Sequence, residues 1–173
     1  MIFIDGSNLY HHLKEVCGRT DLDFERFCAW LAQERKLVRA YYYNAVVDQK
    51  LEADRYRDQQ RFFAKLSDVP RFEVKLGNLV YKNFPSVPPS EKGIDVRLAT
   101  DVLTHAFRQN YDVAILVSGD NDFADAVYAV KELGRTVEVA LFGTRNSSRR
   151  LRDAADIVRE LRPSALENCW LRP

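Results

Sequence analysis

Glycine and proline are scarce in this chain, 7 and 6 of 173 residues, which excludes a collagen-like or low-complexity protein. Charge of one sign is missing too: 26 Lys plus Arg stand against 25 Asp plus Glu, a formal net of +1. That balance excludes a globally polybasic surface, so any polyanion site has to be local. Cysteine is limited to Cys17, Cys28 and Cys169, an odd number without a C-x-x-C pair. Neither a disulfide framework nor a zinc knuckle fits, and free thiols in a reducing compartment are expected. No apolar run approaches the ~20 residues of a membrane span, and no basic segment followed by an apolar one opens the chain. A soluble, cytoplasmic protein without a membrane partner is the expectation. The three histidines, His11, His12 and His105, form no H-E-x-x-H motif and are assigned to surface or packing roles.

What is present, 46% hydrophobic and 12% aromatic residues, suffices for one well-cored domain over residues 1–173. Ile2 to Ile4 reads as a short strand. Asp-Gly-Ser-Asn follows, with Ser7 or Asn8 able to cap a helix running to about Cys17. A helix over Asp23–Glu34 carries Phe24, Phe27, Cys28 and Leu31 on one face, and Leu37–Asn44 reads as a strand. Asp48–Leu66 is expected as a charged helix and Phe72–Leu76 as a strand. Gly77–Glu91, with its proline-rich centre, is expected as a surface loop, either mobile or facing a substrate. A helix then runs from Gly93 or Ile94 to about Arg108, and the VAILV run, Val113–Val117, has the character of a central parallel strand. Helix Asp122–Leu133 ending at Gly134, strand Thr136–Phe142, helix Ser147–Ala155 and a last short strand Ile157–Leu161 complete the series. Alternating strands and helices predict an α/β fold of three α/β/α layers around a mostly parallel sheet.

In such folds ligands bind where strands run into their following helices. Asp5 follows the first strand and Ser118-Gly119-Asp120-Asn121-Asp122 follows VAILV, so Asp5, Asp120 and Asp122 are expected at one rim. Singly, each reads equally well as an Asx-turn or helix-cap residue. In KGIDVRLATDVL, Asp95 shares a helix face with Leu98, Ala99, Val102 and Ala106. A carboxylate inside an apolar stripe must be paired, hydrogen-bonded or metal-bound, and its first-turn position brings it to the same edge. Crowded carboxylates call for a cation, and an all-oxygen set suits Mg²⁺ or Mn²⁺, ions that acidify a bound water and hold phosphates. Asp101 lies ~9 Å further along the helix and about 120° round it, fitting a supporting or structural role. Basic residues gather after the strand at 136–142, with Arg145, Arg149, Arg150 and Arg152 in TRNSSRRLR, and Lys92 precedes the Asp95 helix. They suit RNA phosphate contacts, with Ser147 capping a helix toward an anion, and equally suit a solvated helix face.

FIDGSNLY (Phe3–Tyr10), KGIDVRLATDVL (Lys92–Leu103), AILVSGDNDF (Ala114–Phe123) and GRTVEVALF (Gly134–Phe142) together resemble the NYN domain of LabA-like proteins, a family similar to PIN-domain nucleases. The resemblance implies a Rossmann-like, PIN-like sheet of order 3-2-1-4-5 and Mg²⁺- or Mn²⁺-dependent RNA cleavage by an activated water, leaving a 5′-phosphate. It assigns Asp5, Asp95, Asp120 and Asp122 as catalytic and metal-binding. Asn8 and Ser118 become contacts to water or phosphate, and Asp101 matches the acid of the family's L-A-x-D pattern. RNA, single-stranded or structured, is the implied substrate, with a protein partner for targeting. The rival expectation is a regulatory RNA- or protein-binding module on the same fold with little or no turnover. A homodimer through Tyr41–Tyr43 or Trp170 competes with burial of those tyrosines in the sheet.

Overall fold

The computed structural model describes residues 1–143 and 148–172. Its centre is a seven-stranded sheet: β1 (Ile2–Asp5), β2 (Ala40–Val46), β3 (Phe72–Val80), β4 (Ser90–Lys92), β5 (Val113–Val117), β6 (Thr136–Leu141) and β7 (Ile157–Glu160). The spatial order is β4-β3-β2-β1-β5-β6-β7. Every pairing is parallel except β3 with β4. The expected 3-2-1-4-5 order is present as β3-β2-β1-β5-β6, extended by one strand at each edge.

Helices cover both faces, so the strands bury alternate residues in two separate cores. On one face Ile2, Ile4, Tyr42, Ile115 and Val117 meet α1 (Gly6–His12), α2 (Phe24–Ala32) and α3 (Ala53–Ser67). On the other, Phe3, Tyr41, Tyr43, Leu116 and Val139 meet α4 (Ile94–Phe107), α5 (Ala124–Glu132) and α6 (Arg149–Ala154). The helices change face between β1 and β5, which opens a crevice between the carboxyl ends of those two strands.

Most expected elements are present with shifted ends. Phe24, Phe27, Cys28 and Leu31 are all buried on α2 as the periodicity requires. Gly134 closes α5 with a positive φ of 75°, its N–H bonded to the Lys131 carbonyl. The α3 helix starts at Ala53 rather than Asp48, because Asp48 instead closes a turn: its carboxylate accepts from the Lys50 N–H and its carbonyl from those of Leu51 and Glu52. Tyr41–Tyr43 are at most 5% exposed. Trp170 is half-buried, with the Arg19 guanidinium 4.6 Å from its ring centre. The tyrosines are therefore core residues and offer no dimer surface. Cys28 and Cys169 are buried and Cys17 half-buried, all as free thiols.

Gly77–Glu91 is only partly a loop. Strand β3 continues to Val80 and pairs with β4 in a hairpin, Leu79 opposite Glu91, leaving residues 81–89 as the connection. Gly77 is where β3 must be bare, because a Cβ there would lie 2.5 Å from the Ile94 side chain. The hairpin is anchored to the start of α3: the Tyr81 hydroxyl donates to Glu52 (2.5 Å) and accepts from the Asp48 N–H (3.0 Å). No helix among the described residues is long and apolar enough to cross a membrane.

Candidate functional site

Strand β1 ends on Asp5, whose extended backbone (φ −73°, ψ 101°) makes it the N-cap of α1. The cap is thus Asp5 itself and not Ser7 or Asn8. One carboxylate oxygen accepts the Asn8 N–H at 3.0 Å, and the other accepts the Ser118 hydroxyl at 2.9 Å. The turn reading of Asp5 is therefore present, and its second oxygen ties the cap to the loop after β5. The next residue has to be glycine, since a Cβ on Gly6 would stand 2.3 Å from the Tyr42 ring.

The loop after β5 is stitched to this junction. The Asn8 amide oxygen accepts the Gly119 N–H (3.0 Å), and the Ser118 hydroxyl accepts the Asp120 N–H (3.1 Å). Asp120 caps a short 3-10 turn, Asn121–Phe123, by accepting the Asp122 N–H at 2.9 Å. From the other side, the Ser148 hydroxyl donates to the Gly119 carbonyl (2.6 Å) and the Asn121 side chain accepts the Leu151 N–H (3.1 Å). Asn8, Ser118 and Ser148 thus fix the acid-bearing loop against β1 and α6.

Electrostatics ties the acids together. Burial raises the Asp5 carboxyl to about 6, and the charges of Asp95 and Glu91 push the same way, against the stabilising bonds from Asn8 and Ser118. Asp95 is also raised, by partial burial and then by Asp120 and Asp122. Glu91 is raised by burial and by Asp95, while a hydrogen bond from Ser7 and the charge of His11 pull it down. Asp95 is thus the common neighbour, coupled to Asp5 and Glu91 on one hand and to Asp120 and Asp122 on the other.

Asp95 departs from expectation. The buried stripe of α4 is Ile94, Leu98, Val102 and Ala106, with Asp95 exposed on its flank. Ile94, 1% exposed, takes the core position because its side chain packs over Gly77, and this turns Asp95 outward to the crevice mouth. Asp101 lies apart from the acids, where its carboxylate accepts the Tyr43 hydroxyl at 2.9 Å. Glu91 was missed because only the β3–β4 pairing, which is non-local, brings it to the crevice. Ser90, Glu91 and Lys92 are not strand formers, so the sequence carried no signal for it.

Lys92 is exposed on β4, next to the start of α4. Arg149 and Arg150 open α6, exposed and engaged in surface pairs with Asp153 (3.7 Å) and Asp125 (2.5 Å). Such pairs contribute little stability and yield readily to a phosphate. Arg152 folds back onto Glu160 and the Gly143 carbonyl. Arg145 and Ser147 lie outside the described residues, and α6 with only six residues is too short to act as an anion-binding helix end.

Among the described residues, no three Asp, Glu, His or Cys side chains are close enough to grip an ion as they stand. The donor set nevertheless fits a hard divalent cation: it is all oxygen, and although burial is the largest cause of the raised Asp5 and Asp95 carboxyls, neighbouring acids push both the same way, a repulsion that a cation relieves. Asp5 is held by two hydrogen bonds, whereas Asp95 and Asp122 are exposed side chains.

Comparison with known proteins accords with the fold. A family model described as NYN domain matches residues 1–162. The crystal structure of a protein of unknown function from Vibrio parahaemolyticus is similar over 98% of this chain and 94% of that one, with a TM-score of 0.72 and 26% sequence identity. No curated protein matches the chain.

Proposed function

The chain belongs to the NYN domain family, whose fold is that of PIN-like nucleases, and from that premise we propose that it is a metal-dependent ribonuclease. The observation that carries the reading is that the loop bearing Asp120 and Asp122 is hydrogen-bonded to the Asp5 junction through Ser118 and Asn8, with Asp95 acting on Asp5 and acted on by Asp120 and Asp122. A phosphodiester is itself an anion, so a site made of acids can receive one only when a cation is shared between them. Asp5, Asp95, Asp120 and Asp122 would hold Mg²⁺ or Mn²⁺, which when bound would supply the positive charge to acidify a water and steady a leaving oxygen.

The side chains divide the remaining work. Asp5, locked by Asn8 and Ser118, is the fixed reference point of the site. Asp120 spends one oxygen on its cap and presents the other to a ligand. Asp95 and Asp122 close the acid set from the two sides of the crevice. Asn8 and Ser118 act by positioning, and Lys92, Arg149 and Arg150, with Arg145, hold the RNA phosphates on either side. Asp101 serves α4 and β2 through Tyr43 rather than the phosphate.

The test is cleavage of labelled RNA in Mn²⁺ by wild type, Asp5→Asn and Asp120→Asn. Both variants should lose turnover by at least about a hundredfold while remaining folded; equal rates would sink the proposal. RNA binding that ignores chelation, with no product in Mg²⁺ or Mn²⁺, would instead favour a non-catalytic binding module.

A further inference from the structure

Beside the acid crevice, at the same edge of the sheet, lies a groove of about 680 Å³ between α1, α3 and the 81–89 connection. Small-ligand sites run from ~300 to 1,000 Å³, so it has room for a nucleoside. Its lining includes Ser7, Tyr10, Asn44, Phe62, Pro88 and Glu91. Ser7 and Glu91 are shared with the crevice: Ser7 follows Asp5 by two residues, and Glu91 acts on Asp5 and Asp95 electrostatically. Tyr10 stands on the lip, 46% exposed, with its ring edge-on to that of His11. Asn44 donates one amide hydrogen to the Tyr42 hydroxyl at 3.2 Å and keeps its carbonyl oxygen for another donor.

The geometry points to a seat for one unpaired nucleobase of the RNA strand whose phosphate is held in the crevice. This inference rests on RNA being the ligand of the acid site. A flat exposed aromatic beside polar edge-readers is the combination that captures a splayed base, by stacking on the ring and hydrogen bonding at the base edge. The walls are fixed in advance, since Tyr81 pins the hairpin to α3 and Phe62 packs edge-on against Phe24 and Tyr42. A base inside a double helix is stacked and paired and does not enter such a groove. The occupant is therefore single-stranded, and the seat selects unpaired segments for the crevice.

Two measurements test this independently of each other. The first uses a short single-stranded RNA carrying 2-aminopurine at successive positions, titrated with Ca²⁺ in place of Mg²⁺ or Mn²⁺, so that a cation is shared between acids and phosphate without turnover. One position should be quenched on binding. Tyr10→Ala should raise the dissociation constant about tenfold and abolish that quench, with Tyr10→Phe close to wild type. The second is cleavage in Mn²⁺ of strands carrying one abasic position. At the seated position kcat/KM should fall about tenfold in wild type and fall no further in Tyr10→Ala. Quenching that persists without any cleavage overturns the ribonuclease reading and leaves the seat intact. Cleavage that depends on Asp5 but ignores both Tyr10→Ala and every abasic position overturns the seat and leaves the ribonuclease intact.

Discussion

Replacing Asp5 by asparagine removes a carboxylate that is only 6% exposed and sits among other acids. Its folded-state titration near about 6 against an ordinary 3.8 means that the fold disfavours the ionised form, by about 3 kcal/mol at 1.36 kcal/mol per tenfold. The sign follows from proton counting. Between these two values the native state holds more protons than the unfolded chain, so this group's contribution to stability falls as pH rises from about 4 to about 6, then stays low. Asparagine keeps an acceptor for the Asn8 N–H, and the Ser118 hydroxyl can turn to accept from the new amide. The variant therefore escapes the penalty. In EDTA, Asp5→Asn should be more stable than wild type by about 2–3 kcal/mol at about pH 8, and by close to nothing at about pH 4. For a chain of this size that is roughly 5–10 °C in Tm at the higher pH. Urea unfolding across this range reads the difference, to which relief of Asp95 and Glu91 adds in the same direction. Added Mn²⁺ should then stabilise wild type more than the variant, because it binds only where the acid is intact. An Asp5→Asn protein less stable than wild type at about pH 8, or a difference that does not change with pH, would refute the reasoning.

Asn8→Ala strands the Gly119 N–H and frees the acid-bearing loop. It should cost about 1–2 kcal/mol in urea unfolding and slow cleavage roughly 10- to 100-fold, mostly in kcat. Gly6→Ala drives a methyl into the fully enclosed Tyr42 ring, for a loss of about 1–3 kcal/mol measured by thermal unfolding. Away from the crevice, Glu138 is 3% exposed and joined to Arg35 (2.6 Å) and Arg159 (2.7 Å). Glu138→Ala should destabilise by about 2–4 kcal/mol, the half-exposed Arg35 moderating the usual cost of a broken buried pair, and leave kcat of the surviving fold unchanged.

The parallel core was legible because it is written locally: VAILV and the start of the chain are continuous apolar runs that only a two-sided sheet accommodates. The pattern of α4 was legible as a helix and misleading in phase. Asp95 and Ile94 are one step of about 100° apart, and the spacing that fits one nearly fits the other. Only the approach of Ile94 to Gly77 on a distant strand decides between them. Glu91 and the groove beside it depend on the β3–β4 hairpin, whose short strand has no periodicity to read. Tyr41–Tyr43 looked ambiguous because three large residues in a row bury on alternate faces, a pattern that resembles exposure when only one face is imagined. Strand order came from resemblance rather than from residues, since no local signal states which strands are neighbours. The arginines of α6 were visible as charge, while their pairing with Asp125 and Asp153 was not.

The hydrogen bond between Ser118 and Asp5 joins residues 113 positions apart. At synthesis rates of about 5–20 residues per second, roughly 6 to 23 s pass between the emergence of the two partners. Throughout that interval β1 has no neighbour on one side, and the half of the crevice that includes Asp120 and Asp122 has yet to be made. A growing polypeptide therefore carries its first aspartate without the rest of the acid set, and under the proposed function any reactivity toward nucleic acid would arrive only once most of the chain has been translated.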